Sequence, residues 1–216
     1  MNILILGPAG AGKGTMSEKI VEKYHIPHIS SGDMFRNEIS ENTELGLAAQ
    51  EYMNKGLLVP DEITIGMVKH RLTQPDCADG YLLDGFPRTL PQAEALEKMT
   101  QSLGIPLQVI LDLEVELDEL AKRITGRRIC KTCNEIFHIH FKPSKVEGVC
   151  DVCGTKLSQR EDDTVERLMV RLQEYENQTV PVLEYFKDEG LARKIDAGQT
   201  IEEVWNDVQK ALEDFE

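Results

Sequence analysis

The sequence predicts an α/β fold, a five-stranded parallel sheet wrapped by helices and interrupted by two inserts. Three observations carry this. Short continuous apolar runs recur and stop at glycine or charge, as strands buried on both faces of a parallel sheet do. Stretches with a helical apolar period separate them. The first run passes through a glycine-rich loop straight into such a stretch, the strand–loop–helix order of alternating α/β domains.

The first run is Asn2-Ile3-Leu4-Ile5-Leu6. Beyond the loop Gly7–Thr15, Met16, Ile20 and Tyr24 share one helical face. His28-Ile29, after Pro27, starts a second short strand. Residues 30–59 break the rhythm as a small helical insert that Gly56 closes ahead of Pro60. Tyr81-Leu82-Leu83 and Gln108-Val109-Ile110-Leu111 give two more strands, with a helix starting at Pro91 between them. Leu117, Leu120, Ala121 and Ile124 form an apolar face ahead of Gly126. Residues 126–163 hold four cysteines and too little apolar content for a core of their own, so this insert needs a staple. From a cap at Asp163 or Thr164, the residues Val165, Leu168, Met169, Leu172, Tyr175 and Thr179 follow the helical period until Pro181 bends or interrupts it. Ala192–Ile195 is the weakest strand signal. Thr200-Ile201-Glu202-Glu203 then opens the last helix as a capping box, with Val204, Val208 and Leu212 on one face. The sheet core is therefore assigned to residues 1–29, 60–125 and 164–216.

Composition limits the ligands. The chain has 216 residues, with 24 Lys+Arg against 38 Asp+Glu, a net charge of −14. That excess of acid argues against electrostatic binding to nucleic acid or to an anionic membrane. No apolar run reaches bilayer length, and the apolar start lacks the basic flank of a signal peptide. The expectation is a cytoplasmic monomer. A phosphate-bearing ligand must then be held by local arginines and backbone N–H groups, against the sign of the overall field.

Such a place is visible. In Gly7-Pro8-Ala9-Gly10-Ala11-Gly12-Lys13-Gly14-Thr15 the glycines let successive N–H groups converge on an anion, and the following helix adds its dipole. Lys13 can reach the outer phosphates and a hydroxyl can serve magnesium; Gly14 stands directly after the lysine, with Thr15 one position later. Asp84, at the end of an apolar run and followed by Gly85-Phe86-Pro87-Arg88, is placed to hold magnesium directly or through water. Cys130, Cys133, Cys150 and Cys153 form C-x2-C-x16-C-x2-C, the spacing of a structural zinc site. His138 and His140 lie between the pairs and are read as surface residues, since four thiolates complete a tetrahedron, with a swapped metal ligand as the alternative. Cys77 has no cysteine partner.

With these segments in hand, the sequence resembles the nucleoside monophosphate kinases, and among them the long-form adenylate kinases with a zinc-containing lid. The resemblance rests on the loop itself, on Ser30-Ser31-Gly32-Asp33-Met34-Phe35-Arg36, on Gly56-Leu57-Leu58-Val59-Pro60 and on Asp84-Gly85-Phe86-Pro87-Arg88, and it covers essentially the whole chain. Ser31 stands where many relatives carry threonine, keeping the hydroxyl. The resemblance implies ATP, AMP and ADP as substrates, Mg2+ with ATP, structural Zn2+, residues 30–59 as the AMP-binding insert and residues 126–163 as the lid.

Site roles follow residue by residue from the same resemblance. Gly10, Ala11, Gly12, Lys13, Gly14 and Thr15 would hold ATP phosphates, Arg123 and Arg127 the ATP end, and Ile136, Phe137 and Gln199 its ribose and base. Arg123 stacking on adenine and Phe137 serving as lid core are the open alternatives. Ser31, Arg36, Leu57, Leu58, Val59, Gly85, Phe86, Pro87, Arg88 and Gln92 would bind AMP, with Gln92 reading its adenine. Arg160 and Arg171 would hold the transferring phosphoryl group, and Asp33 would join Asp84 in supporting the metal through water. Arg128, Arg167 and Arg193 are read as surface residues. The rival readings are a kinase for another nucleoside monophosphate, a GTP-dependent switch, for which no N-K-x-D element exists, and a zinc-ribbon nucleic-acid module.

Overall fold

The computed structural model describes residues 1–215. In chain order the elements are β1 (Asn2–Leu6), α1 (Lys13–Tyr24), β2 (His28–Ser30), α2 (Ser31–Ser40), α3 (Glu44–Lys55), α4 (Asp61–Leu72), β3 (Tyr81–Asp84), α5 (Leu90–Leu103) and β4 (Val109–Glu114). They continue with α6 (Leu117–Gly126), β5 (Arg127–Cys130), β6 (Ile136–His138), β7 (Leu157–Ser158), α7 (Val165–Glu174), α8 (Val180–Tyr185), β8 (Ala192–Asp196) and α9 (Ile201–Leu212). The main sheet has the order β2-β3-β1-β4-β8 and every pair in it is parallel, so the anticipated five strands all form.

Strand β1 sits in the middle, with all five residues buried. Successive side chains point to opposite faces. Ile3 and Ile5 join Leu82, Val109 and Leu111 against Met16 and Ile20 of α1 and Val204 and Val208 of α9. Leu4 and Leu6 join Leu83 and Ile110 against Val68 of α4, Leu96 of α5 and Val182 of α8. Each such buried aliphatic side chain contributes about 1.5–3 kcal/mol by leaving water. The parallel register brings the C-terminal ends of β1, β2 and β3 to one edge, with Ser30 opposite Asp84 and Ile5 opposite Asp84 from the other side. That edge is where an open α/β sheet binds its ligand.

The two inserts sit over this edge. Helices α2 and α3, capped by the Ser30 and Thr43 side chains, pack around Phe35, Ala49 and Val59. Residues 127–158 contain a separate antiparallel sheet in the order β6-β5-β7. Its buried cluster is Cys130, Phe137, Cys150 and Leu157, so half of this core consists of cysteines.

Several local expectations resolve here. Thr164, not Asp163, caps α7, its side chain accepting from Arg167 N. The apolar period to Thr179 does not give one continuous α-helix: α7 ends at Glu174 and a π-helical turn, Tyr175–Thr179, leads into α8. Pro181 cannot donate a backbone hydrogen bond, and the widened turn absorbs that defect. The capping box at Thr200 and Glu203 forms in both directions, at 3.4 and 3.0 Å. Strand β4 runs to Glu114, three residues past its continuous apolar run, because Asp112 and Glu114 still pair with β8. Helix α4 had no periodic signal in the sequence analysis; it buries Thr64, Val68 and Leu72, and a threonine at the first of these weakens the pattern.

Candidate active site

The glycine-rich loop runs from the end of β1 into α1. Gly12 takes the N-cap position with φ +93°, a conformation that a side chain would strain, and no side chain caps the helix. The first turn of α1 also lacks an acidic residue. Its N–H groups and dipole are thus available to an anion. Lys13 Nζ donates to the carbonyls of Gly7 at 2.7 Å and Pro8 at 3.0 Å, which folds its side chain back over the loop. Burial pushes the Lys13 ammonium down to about 8, with Arg88, Arg127 and Arg171 adding repulsion and Asp84 opposing it.

Asp84 terminates β3 beside this loop. Burial would raise its carboxyl, but His28 and Lys13 hold it below the usual carboxylate value, so it is ionised at neutral pH. His28 Nε2 lies 3.6 Å from Asp84 Oδ2, a charge contact longer than a hydrogen bond. Asp33, in the first turn of α2, accepts from Arg36 at 3.1 and 2.5 Å and lies 3.8 Å from Arg160. Burial opposes its ionisation, yet these arginines and the Ser30 hydroxyl bring it to about 2.

All six arginines singled out in the sequence analysis border one cavity of about 1070 Å³ that also contains the loop. They arrive from different elements: Arg36 from α2, Arg88 from the turn after β3, Arg123 from α6, Arg127 from β5, Arg160 from the turn before α7, and Arg171 from α7. Arg127 forms a two-pronged pair with the buried Asp163, Arg171 pairs with Asp162, and Arg123 contacts Glu119 at 3.0 Å. Arg160 Nε is buried without a hydrogen-bond partner. Burial and the neighbouring Arg36 and Arg127 push Arg160 down to about 9, and burial with Arg127, Arg88 and Arg36 pushes Arg171 down to about 10. Desolvated cations that repel one another are stabilised by an anion placed among them. Arg128, Arg167 and Arg193 do not border the cavity.

The four cysteine Sγ atoms lie within 4.8 Å of one another. Cys130 and Cys153 are 3.3 Å apart, Cys133 and Cys150 3.5 Å, and Cys153 and Cys133 3.6 Å. A tetrahedral site with Zn–S bonds of about 2.3 Å has sulfur–sulfur edges of about 3.8 Å, so the donor set fits zinc with a small expansion. Two matched turns build it. Asn134 N donates to Cys130 O at 2.9 Å and Gly154 N to Cys150 O at 2.9 Å, and both donors have positive φ.

A family model described as adenylate kinase matches residues 5–191. The chain belongs to the adenylate kinase family. It is 54% identical over 213 residues to an adenylate kinase of Carboxydothermus hydrogenoformans, covering 99% of this chain and 100% of that protein. It is 49% identical over 212 residues to an adenylate kinase of Caldanaerobacter subterraneus subsp. tengcongensis, covering 98% and 96% of the two chains. An adenylate kinase of Clostridioides difficile is 50% identical over 212 residues, 98% of each.

Within this adenylate kinase fold the remaining anticipated residues separate into two groups. Gly10, Ala11, Gly14, Thr15, Leu57, Leu58, Gly85, Ile136, Phe137 and Gln199 border the cavity. Ser31, Val59, Phe86, Pro87 and Gln92 do not. Ser31 instead donates from its hydroxyl to Gly85 O at 2.6 Å, fixing the turn that carries Arg88. Phe86 is fully buried in the core under α5, and Val59 packs on Phe35, so their side chains face away from the cavity. Gln92 is 2% exposed with both ends of its amide engaged. Phe137 is a member of the lid core and also borders the cavity.

One reading from the sequence is corrected: His138 is buried, whereas His140 is exposed. The His138 ring occupies the space beside Gly126, where any Cβ would lie 2.2 Å from its Nε2. Its Nε2 meets Lys122 O at 3.2 Å, and its Nδ1 accepts from His140 N and Phe141 N. Gly126 lies twelve positions from His138 along the chain, so no local pattern announced a ring packed at the root of the lid.

Sequence reasoning missed the cavity residues His28, Tyr175 and Thr179, and a bridge between lid and core. Lys142 Nζ, on the lid, donates to Glu18 of α1 at 2.9 Å and to Glu135 at 2.8 Å. Burial alone would lower the Lys142 ammonium, but the two carboxylates raise it above its ordinary value of 10.5. Such a group contributes its full stabilisation below its unfolded pKa and loses it as pH rises through the folded one. Lys142→Met is therefore expected to lower Tm at neutral pH by the equivalent of about 1 kcal/mol or less, since each partner remains partly solvated. The difference from wild type should shrink once pH exceeds about 10.5. Calorimetry across that range checks this, and a difference that is constant with pH would remove the charge from the explanation.

Proposed function

We propose that the chain catalyses reversible transfer of the terminal phosphoryl group from ATP to AMP, giving two ADP, by in-line attack of an AMP phosphate oxygen. The bond from the transferred phosphorus to the bridging oxygen of ATP breaks as the new P–O bond forms, and the leaving group departs as ADP. No side-chain nucleophile is required, so catalysis consists of positioning and charge stabilisation. The observation that carries this reading is the convergence of Lys13 and six arginines on one cavity in a chain of net charge −14, with Arg160 Nε unpartnered.

The roles divide by location. The loop N–H groups and Lys13 cradle the ATP phosphates, with Arg123 and Arg127 at the same end. Arg36 and Arg88 hold the AMP phosphate. Arg160 and Arg171 meet the phosphoryl group in flight, where donors fixed in advance stabilise developing charge most effectively. Asp33 and Asp84, both ionised oxygen donors bordering the same cavity as Thr15, are suited to a hard divalent cation held through water. Magnesium bound with ATP supplies further charge neutralisation across the phosphates.

Residues 30–59 and 126–163 are proposed to close over AMP and ATP respectively, with hinges near Gly56, Gly126 and Asp162-Asp163. Closure excludes water, which would otherwise accept the phosphoryl group, and brings arginines from separate elements onto one centre. A coupled assay of ADP formation from ATP with AMP, UMP, CMP and GMP, with and without magnesium, tests the reading. AMP-selective, magnesium-dependent transfer is expected; preference for UMP or CMP would overturn the choice of acceptor.

A further inference from the structure

We propose that Asp61 is a positioning residue that sets acceptor-base selectivity by fixing the direction of the Gln92 amide. Asp61 is the first residue of α4, directly after Pro60 where the 30–59 insert rejoins the core. Its Oδ1 accepts from Gln92 Nε2 at 2.7 Å and its Oδ2 from Thr89 Oγ1 at 3.0 Å. At its other end, Gln92 Oε1 accepts from the backbone N–H of Arg88 at 2.8 Å. Thr179 Oγ1 donates to Arg88 O at 3.1 Å, so the backbone of this cavity arginine is held from both sides.

The chemistry of the partners permits one arrangement only. A backbone N–H can only donate and an ionised carboxylate can only accept. Turning the amide over would set two donors against each other at Arg88 and two acceptors against each other at Asp61. The amide oxygen is therefore locked toward Arg88 and the nitrogen toward α4. One oxygen lone pair and one N–H remain for a ligand.

This rests on the proposed AMP reading together with the resemblance, which implies that the acceptor base meets Gln92; the amide is 2% exposed and lies behind the cavity-lining Arg88. Adenine presents an exocyclic amine donor beside the N1 acceptor, which a fixed C=O and N–H complement. Hypoxanthine presents an acceptor beside an N1–H donor, the reverse order, and suits only an inverted amide. Asparagine at position 61 can show Gln92 either a carbonyl or an NH2 group, which releases one of the two constraints while keeping the shape.

The test compares AMP and IMP as acceptors for wild type, Asp61→Asn, Asp61→Ala and Thr89→Val. In Asp61→Asn, kcat/KM for AMP should fall and the AMP:IMP preference should narrow about tenfold, the scale of one hydrogen bond to a charged group, with KM for ATP unchanged. Asp61→Ala should narrow it at least as far; if that variant does not fold, Asp61→Asn decides alone. Thr89→Val removes the other arm of the carboxylate and the α5 cap on the Gln92 N–H, and should lower Tm while narrowing the base preference less than Asp61→Asn does. An unchanged preference in Asp61→Asn, or equal narrowing in Thr89→Val, overturns the role of Asp61. A wild type that phosphorylates neither nucleotide overturns the acceptor reading itself.

Discussion

Arg88→Ala is expected to lower turnover by about a thousandfold, the equivalent of about 4 kcal/mol of transition-state stabilisation, with little change in Tm. The size follows from the chemistry. Charge spreads over the phosphoryl oxygens in the transition state, and a buried, permanently charged guanidinium is suited to bind it in two-pronged fashion. The small effect on stability follows from what the side chain touches. Arg88 Nε donates to Gly85 O at 2.8 Å, but the turn is otherwise held through the Arg88 backbone by Gln92 and Thr179, which alanine preserves. Burial disfavours its charge, while the Asp84 carboxylate favours it more than Arg36 opposes it, so deletion relieves desolvation as it gives up the Asp84 attraction and one hydrogen bond. Steady-state kinetics and a melting curve on the same preparation check both halves. Near-normal turnover would remove Arg88 from the catalytic set.

The second large effect is expected at the lid. Cys130→Ser should release zinc and lower Tm by about 10 °C or more, on the scale of about 2–4 °C per kcal/mol for a chain of this size. The buried cluster of this sheet has four members, two of them cysteines, so the segment has little apolar burial to fall back on. Chelation of wild type at raised temperature should reproduce the loss. The site is closed by four thiolates and has no open position for substrate, so residual folded enzyme assayed in the cold should retain most of its turnover. Metal analysis, melting curves and cold assays together decide this; a fully folded variant with almost no activity in the cold would assign the metal a part in the chemistry.

Legibility followed the range of the interactions. The phosphate loop could be read because its geometry is written in consecutive residues: glycines with positive φ, then a helix start. The paired cysteines were readable for the same reason, each pair being one turn. The positions of the arginines could be listed, but not their partners: Arg127 meets Asp163 across 36 positions and Lys142 meets Glu18 across 124. Phe86 and Val59 lie within motif segments, yet the Phe86 ring packs into the sheet core and Val59 against Phe35 and Ala49 of the insert, because packing contacts in these connecting turns decide direction independently of motif membership. His138 was misread because a histidine between cysteines says nothing of the glycine surface it covers.

By itself the sequence determined the alternation of strands and helices, the anion-binding loop, the four thiolates and the stock of guanidinium groups, since each depends on local backbone preference or on composition. Only the tertiary structure decided that six arginines from separate elements share one cavity, and that the Gln92 amide has a single permitted direction. The reason is that hydrogen-bond direction and desolvation belong to groups brought together by folding, such as Asp61 with Gln92, whose separation along the chain leaves no pattern to read.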